Sequence, residues 1–347
     1  MKLGIQPENI LDAIALQSRR ELQPFLLGML GMGVSQVLVT AIRLNVFDAL
    51  QENPRTAAQL ATAMNCDPHG MQVLLESLDG FGFLKRQGQQ YQLTQDSARW
   101  LTKSGGLIHD FLRLGGDISQ QLVLLEKDIR TGEVPNFHFN PQSATCFANY
   151  YEMLKSSGQQ TASNVLKWAK LNPPPKRLLD VAGGPAEYSI AFCQKYPDLK
   201  ADILDLPNAV EAGLPQIEQA GLSSRIQYIE GNLLDTDWGN NYDVVFLSNI
   251  LHCLTAEQCE IALSKAFQAL RVGGTVLIND LFHPGEQGKL SSPMSLFSLI
   301  YYVTCGGRIW PQPTILDWLT QLGFHQIRTG KYRLALLVSA EKLSAEC

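Results

Sequence analysis

The stretch "LLDVAGGPAEYS", residues 178–189, runs from an apolar segment into two adjacent glycines and a proline. Three apolar residues, interrupted by Asp180, lead directly to Gly183 and Gly184. This pattern predicts a buried strand followed by a tight turn, at which a ligand can approach the backbone with no side chain between. The spacing is neither G-x-G-x-x-G nor that of a phosphate-binding loop, so the expected ligand needs few phosphate contacts.

Strands and helices alternate around this turn. The proline-rich segment NPPPKR (172–177) cannot continue a helix, and the alternation begins after it. The expected fold class is α/β, with a doubly wound parallel sheet. No helix separates the last two strands, so the final strand is expected to be antiparallel. The predicted strands are RLLDVA (177–182), ADILDL (201–206), IQYIEG (226–231), YDVVFLS (242–248), GTVLIND (274–280), HQIRTG (325–330) and RLALLVS (333–339).

Polar residues follow the predicted strands where a doubly wound sheet binds its ligands. Asp205 ends the second strand, 25 residues after Asp180, and a carboxylate there can accept hydrogen bonds from both hydroxyls of a ribose. Asn232 and Leu233 follow the third strand, where they can contact an adenine ring. Together these features indicate an adenosyl ligand. The alternative is that the two glycines only allow close packing of helix and strand.

Residues 21–100 read as helices followed by a hairpin, the order of a winged helix. The helix PHGMQVLLESLDG (68–80) has two acids and no Lys or Arg, and the formal net charge of the chain is -5. Since a nucleic-acid site needs a clustered basic face, we expect no nucleic-acid partner. The predicted role is scaffolding or dimerisation, and the expected domains are residues 1–105, a helical connector over 106–175, and 176–347.

The most apolar segment, residues 24–44, contains Ser35, Gln36 and Arg43, so it predicts a core or subunit-interface helix rather than membrane insertion. The seven cysteines are odd in number, scattered and never spaced C-x-x-C. This spacing argues against a disulfide framework and against a zinc site. The sequence therefore predicts no metal and a cytoplasmic location.

These motifs resemble those of the S-adenosylmethionine-dependent methyltransferases of the caffeate, acetylserotonin and hydroxyneurosporene O-methyltransferase family, over about residues 25–345. "LLDVAGGPAEYS" matches the D-V-G-G-G-x-G turn of the family, "LDLP" (204–207) its ribose-binding acid, and "EGNLLD" (230–235) its adenine motif. The resemblance implies a seven-stranded Rossmann-like methyltransferase sheet, a winged-helix dimerisation domain, and a homodimer formed mainly by residues 21–60. It also implies S-adenosyl-L-methionine as co-substrate, bound by Asp180, Ala182, Gly183, Gly184, Asp205, Leu206, Asn232, Leu233, Ser248 and Tyr151.

Three positions in these motifs depart from the family pattern. Asn232 replaces the usual aspartate, and its carbonyl oxygen can still accept a hydrogen bond from an adenine amino group. Ala182 and Ala186 stand where the family has glycine, and we expect the turn to tolerate both if neither needs a positive φ. Asp180 is expected to favour the sulfonium cation by Coulomb attraction.

"LSNILHCLTAEQC" (247–259) resembles the family segment that carries the catalytic histidine. His252 is therefore the expected general base, opening toward the cofactor cleft, and Asp280 the acid that orients it. Cys253 replaces the aspartate that usually follows the histidine, and Ile309 stands at the position of a second acid. The other histidines, including His138, are expected to be incidental.

The segment MSLFSLIYYVTCGG (294–307) predicts an apolar pocket for a hydrophobic small-molecule acceptor, most simply a hydroxyl compound of secondary or pigment metabolism. Four alternatives stay open. They are C- or N-methylation, an S-adenosylmethionine-binding cyclase or rearrangement enzyme of the same fold, a winged-helix ligand-sensing regulator, and a nicotinamide oxidoreductase.

Overall fold

A computed structural model describes residues 23–134, 136–139, 144–285 and 288–343. The described residues form two compact units that divide between Gln120 and Gln121. The three-part division expected from the sequence stays a prediction, and residues 1–22 of its first part lie outside the described residues. In the described part of the chain, no helix is both long and apolar enough to cross a membrane.

The N-terminal unit consists of helices and a small antiparallel sheet of strand order β1-β3-β2. Local signals in the sequence set its helix starts: Thr56 and Gln59 form a reciprocal capping box, and Asp67 caps the next helix just before Pro68. The predicted hairpin is confirmed, with Gln87 paired to Gln90. The elements are α1 (Gln23–Arg43), α2 (Val46–Ala49), β1 (Arg55–Thr56), α3 (Ala57–Met64), α4 (Pro68–Gly80), β2 (Leu84–Gln87), β3 (Gln90–Leu93), α5 (Gln95–Trp100) and α6 (Leu107–Leu122).

The C-terminal unit is built on a seven-stranded sheet of order β6-β5-β4-β7-β8-β10-β9. The first five strands in this order are parallel, and β10 runs antiparallel to both β8 and β9. The predicted fold class and the antiparallel final strand are confirmed. The elements are α7 (Leu125–Thr131), α8 (Ala144–Ala169), β4 (Arg177–Val181), α9 (Glu187–Lys195), β5 (Lys200–Asp205), α10 (Pro207–Gln219), β6 (Ile226–Glu230), β7 (Tyr242–Ser248), α11 (Ala256–Ala269), β8 (Leu270–Leu281), α12 (Ser292–Cys305), α13 (Gln312–Gln321), β9 (Phe324–Tyr332) and β10 (Ala335–Lys342).

Both faces of this sheet are covered, because successive side chains of its central strands point to opposite sides. In β7, Val245 and Leu247 lie in the core that contains residues of α11 and α13. Val244 and Phe246 lie in the core that contains residues of α8 and α9. The continuous apolar run of β7 is thus the signature of a strand buried on both faces. The loops that follow β4, β5, β6 and β7 leave the sheet at one edge, and they form the site.

Candidate active site

A cleft lies at the carboxyl ends of β4 to β7. Residues of α8 and of the segment 136–139 also line it. The structure brings together nine of the ten residues expected to bind the cofactor, and Asp180 is the exception. The nine are Tyr151, Ala182, Gly183, Gly184, Asp205, Leu206, Asn232, Leu233 and Ser248.

The turn after β4 uses the left-handed backbone region repeatedly. Ala182 has φ 56°, Gly184 has φ 54° and Ala186 has φ 69°. The condition under which both alanines were expected to be tolerated, that neither position needs a positive φ, is therefore not met, because the reversal from β4 into α9 needs left-handed backbone at both. A left-handed alanine costs roughly 1–2 kcal/mol. Gly183 is required for a different reason, which is lack of space: a Cβ there would lie 2.8 Å from both Asp180 Cγ and Ile203 Cγ2.

The Asp205 carboxylate fixes the far side of this turn. One oxygen accepts the backbone N–H of Gly184 and the other that of Leu206, each at 2.7 Å. Burial raises the pKa of Asp205, and these two hydrogen bonds offset only part of that rise. Each carboxylate oxygen keeps a further lone pair for a ligand in the cleft. Burial and the charge of Asp205 raise the pKa of the Tyr151 phenol, which stays protonated as a hydrogen-bond donor.

Asp180 lies behind the turn rather than in the cleft. Strand alternation places it on the same face as Leu178, toward α9, where Ser189 donates a hydrogen bond to its Oδ2 at 2.7 Å. Its Oδ1 is buried with no hydrogen-bond partner among the described residues. Burial raises the pKa of Asp180 to about 7. The structure therefore does not bring this carboxylate to the surface that a cofactor would contact.

Asn232 and Ser248 line the cleft, and the polar groups of both side chains already form some hydrogen bonds within the protein. The Asn232 amide oxygen accepts the N–H of Leu234 at 3.0 Å, so this side chain also shapes the loop after β6. Ser248 Oγ accepts a hydrogen bond from Asn279 at 2.9 Å, and Asn279 also donates to the Tyr188 hydroxyl. Sequence reasoning missed the buried Asn279–Tyr188 pair because nothing in the spacing joins β8 to α9.

His252 and Asp280 form a buried pair. The Nδ1 of His252 lies 2.5 Å from Asp280 Oδ1, and the same oxygen accepts the backbone N–H of Leu281 at 2.7 Å. The other carboxylate oxygen lies 3.4 Å from the His252 backbone nitrogen. These contacts hold the imidazole in one orientation and leave Nε2 as the atom available to take a proton.

The expectation that the His252 ring opens toward the cleft is not met. The short 3₁₀ turn Leu251–Cys253 places Cys253 in the cleft lining, while His252 lies outside it and is 4% exposed. Tyr301 of α12 covers the imidazole, with ring centroids 3.8 Å apart. Ile309, at the position of the second family acid, is fully buried. Tyr301 is a further residue that the sequence did not anticipate, because no motif connects it to His252.

His138 was expected to be incidental, yet its side chain lies in the lining of the cleft. One ring nitrogen of His138 and the sulfur atoms of Cys253 and Cys305 all lie within 4.8 Å of one another. A hydrogen bond from Cys253 lowers the pKa of the Cys305 thiol, although burial acts in the opposite sense. Burial lowers the pKa of His138, but the hydrogen bond to Cys305 together with the charges of Cys305 and Asp205 outweighs this effect and leaves the pKa raised.

The chain matches two family models. Residues 127–325 match the O-methyltransferase domain, and residues 28–104 match the O-methyltransferase dimerisation domain. The fold and the cleft thus belong to a methyltransferase, and the chain is a member of the O-methyltransferase family. The predicted family, the enzyme class and the main prediction of S-adenosylmethionine-dependent methyl transfer are confirmed, whereas the roles of individual site residues stay predictions.

Characterised relatives align along most of the chain. The chain is 26% identical over 311 residues to 3-hydroxy-5-methyl-1-naphthoate 3-O-methyltransferase of Streptomyces sahachiroi, covering 87% of this chain and 89% of the relative. It is 27% identical over 317 residues to L-tyrosine C(3)-methyltransferase of Streptomyces lavendulae, covering 86% and 85%. The fold is also that of human N-acetylserotonin methyltransferase, solved in complex with SAM, with a TM-score of 0.76, 22% identity and coverage of 98% of this chain and 100% of that one.

Proposed function

We propose that the protein transfers the methyl group of S-adenosyl-L-methionine to a hydroxyl group of a hydrophobic small molecule. The observation that carries the proposal is the charge of the cleft. Among the described residues that line it there is no Lys or Arg, whereas Asp205 and Glu187 are acids. Such a cleft suits an adenosyl ligand that bears a sulfonium cation and no phosphate.

The residues at the strand ends fit this co-substrate. Gly184 offers backbone without a side chain. Each carboxylate oxygen of Asp205 accepts one backbone N–H, from Gly184 or from Leu206, and keeps a further lone pair that can accept a hydrogen bond from a ribose hydroxyl. Asn232 and Leu233 stand at the end of the adjacent strand β6, where an adenine ring would lie. The sulfonium supplies the methyl group. The chain's own residues hold both reactants in line and exclude water.

Proton removal is the second task. As the acceptor oxygen attacks the methyl carbon and the carbon–sulfur bond breaks, the hydroxyl proton passes to Nε2 of His252. Asp280 stabilises the resulting imidazolium through Nδ1, 2.5 Å away. In the structure Tyr301 covers the imidazole. Contact between His252 and an acceptor therefore requires a displacement of the Tyr301 ring.

A second candidate is methylation at carbon or nitrogen. The observation that favours it is the position of His252 outside the cleft lining, because a carbon or amine nucleophile depends less on a strong base. The relative that acts as an L-tyrosine C(3)-methyltransferase shows that carbon is an acceptor among similar proteins.

His252→Gln tests the choice between these functions. The experiment follows S-adenosylhomocysteine formation on a panel of hydroxylated, amino and carbon-nucleophile aromatic compounds. For a hydroxyl acceptor, turnover should fall by about 10²–10⁴, because glutamine keeps a hydrogen-bonding group but cannot take the proton. The matched control is His325→Gln, since His325 is exposed on β9. Retention of most activity by His252→Gln on the best acceptor would reject hydroxyl methylation by this base in favour of the second candidate.

We further propose a homodimer, and a cytoplasmic location stays a prediction. The match to the dimerisation domain over residues 28–104 supports the dimer. So does α1, on which Met29 is 57% exposed and Met32 73% exposed while Val39 and Ile42 are buried. Residues 21 and 22 of the predicted interface lie outside the described residues. Light scattering should give twice the chain mass for the wild type and a lower mass for Met32→Glu, and a wild-type monomer at micromolar concentration contradicts the proposal.

A further inference from the structure

Three metal-ligating side chains from three separate segments meet at the wall of the cleft. His138 lies in the 3₁₀ turn Phe137–Phe139, Cys253 in the turn Leu251–Cys253, and Cys305 at the end of α12. One ligand atom from each lies within 4.8 Å of the other two. Both cysteines are buried, at 7% and 8% exposure, and they are free thiols.

Backbone packing holds the two cysteines together. α12 ends at Cys305 and is followed by Gly306, which has φ 75°, and the chain then runs directly against the turn that carries Cys253. A Cβ at Gly307 would collide with the carbonyl oxygen of His252, so only glycine allows this approach. The two cysteines have 51 residues between them in the sequence, and this packing brings them close together in space. The sequence argument against a zinc site, which relied on scattered cysteines, does not apply to this pair.

The imidazole is held independently. The His138 backbone N–H donates to Asn136 Oδ1 at 2.9 Å, and its ring packs edge-on to Tyr150 with centroids 5.5 Å apart. Both His138 and Cys253 line the cleft, whereas Cys305 is not among the lining residues. The cluster thus has a closed side toward α12 and an open side toward the cleft.

This donor set selects the class of cation. Two sulfur atoms and one imidazole nitrogen suit zinc and other soft or borderline ions, whereas magnesium and calcium require oxygen donors. Zinc bonds of about 2.3 Å to sulfur and about 2.0–2.1 Å to nitrogen place tetrahedral donors roughly 3.5–3.8 Å apart. The three ligand atoms lie within 4.8 Å of one another, so side-chain movements of about 1 Å bring them to this separation. Two thiolates also neutralise a divalent cation, which limits the cost of burying the charges.

We propose that His138, Cys253 and Cys305 bind one divalent cation of the zinc class, with the fourth coordination position open to the cleft. Binding displaces the protons of the thiols to solvent, and the metal keeps its oxidation state. A site with three protein ligands and one open position is the arrangement of zinc ions that contact a water or a substrate. The inference does not depend on the proposed methyl transfer, because its test measures metal binding.

The test uses the full-length protein, reduced and stripped of metal. Zinc is titrated in competition with a chromophoric chelator, and cobalt(II) is added separately as a spectroscopic probe. The expected result is one equivalent of tightly bound zinc, and for cobalt the sulfur-to-metal charge-transfer absorption and intense visible bands of a tetrahedral thiolate site. Cys305→Ser and His138→Gln should each weaken zinc binding by at least about 100-fold, since loss of a direct ligand exceeds the usual cost of losing its supporting partner.

Cys193→Ser is the matched control, because Cys193 is fully buried in α9 and its thiol donates to the Leu199 carbonyl instead. It should bind zinc as the wild type does. Circular dichroism verifies the fold of each variant, and the cobalt spectrum of the wild type tests the site without any substitution. The proposal is overturned if the wild type binds no stoichiometric zinc, if cobalt shows no thiolate band, or if folded Cys305→Ser and His138→Gln bind zinc as tightly as the control.

Discussion

Asp280→Asn tests how the buried pair acts on an acceptor hydroxyl. In the wild type, Asp280 Oδ1 lies 2.5 Å from His252 Nδ1 and accepts the N–H of Leu281 at 2.7 Å. An asparagine that keeps its oxygen at this position preserves both hydrogen bonds and the ring tautomer. Its amino group then occupies the place of Oδ2, where the contact to the His252 backbone is long, at 3.4 Å. The change therefore removes the charge and little of the geometry.

The expected loss follows from that difference. A hydrogen bond to a charged group contributes about 1.5–3 kcal/mol and a neutral one about 0.5–1.5 kcal/mol. The imidazolium that forms during the reaction thus loses about 1–1.5 kcal/mol of stabilisation, which lowers the turnover number between roughly 5- and 15-fold. The affinity for S-adenosylhomocysteine should not change, because Asp280 does not line the cleft.

The assay is steady-state turnover on the best hydroxyl acceptor, combined with calorimetric binding of S-adenosylhomocysteine. Asp317→Asn is the matched control, since Asp317 is exposed on α13. Turnover of Asp280→Asn equal to that of the wild type would show that the carboxylate does not support the base. A loss of turnover in Asp280→Asn larger than that in His252→Gln would contradict the assignment of His252 as the base and Asp280 as its support.

Two further predictions concern the turn after β4. Ala182→Gly should raise the free energy of unfolding by about 0.5 kcal/mol, because relief of a positive φ exceeds the entropy gained by the unfolded chain. Ala186 also has a positive φ, but its methyl group is fully buried. Ala186→Gly therefore loses packing as well and should change the free energy of unfolding by less than about 0.5 kcal/mol. Urea unfolding measures both, and a less stable Ala182→Gly contradicts the strain argument. Because burial raises the pKa of Asp180 to about 7, the folded state keeps a proton that the unfolded chain loses near pH ~4. As the pH rises from about 4 to 7, the free energy of unfolding of the wild type should therefore fall by on the order of 2–4 kcal/mol relative to that of Asp180→Asn. A difference in unfolding free energy between the two proteins that does not vary with pH refutes this prediction.

The sheet and the strand ends could be predicted from the sequence because their causes are local. Apolar runs such as YDVVFLS (242–248) specify strands buried on both faces, and the parallel strands bring Asp205, Asn232 and Ser248 to one edge whatever the loops between them do. The capping box at Thr255 and Gln258 likewise sets the start of α11. For these residues, position along a strand determines position in the site.

The remaining features depend on packing between distant segments. Asp180 was assigned to the ligand side, but strand alternation turns it toward Ser189 on α9. Tyr301 covers His252 because α12 packs against the loop after β7, and Cys305 approaches His138 because α12 also packs against the turn Phe137–Phe139. No periodicity in the sequence specifies either contact. The positive φ at Ala182 escaped prediction since alanine rarely adopts it. Side-chain direction and long-range contact, not element type, limit what the sequence alone predicts.

The most direct test of the account is calorimetric titration of the protein with S-adenosylmethionine and S-adenosylhomocysteine, with NAD as the competing class of adenosyl ligand. We expect both methyl-transfer ligands to bind with micromolar-class affinity, about 8 kcal/mol, and NAD to give no comparable heat. Asp205→Asn should weaken both by roughly 10- to 100-fold through the lost charge-assisted ribose contacts, whereas Asp198→Asn, at an exposed position, should bind as the wild type does. No binding of either ligand to the wild type, or tight binding of NAD instead, would contradict the account.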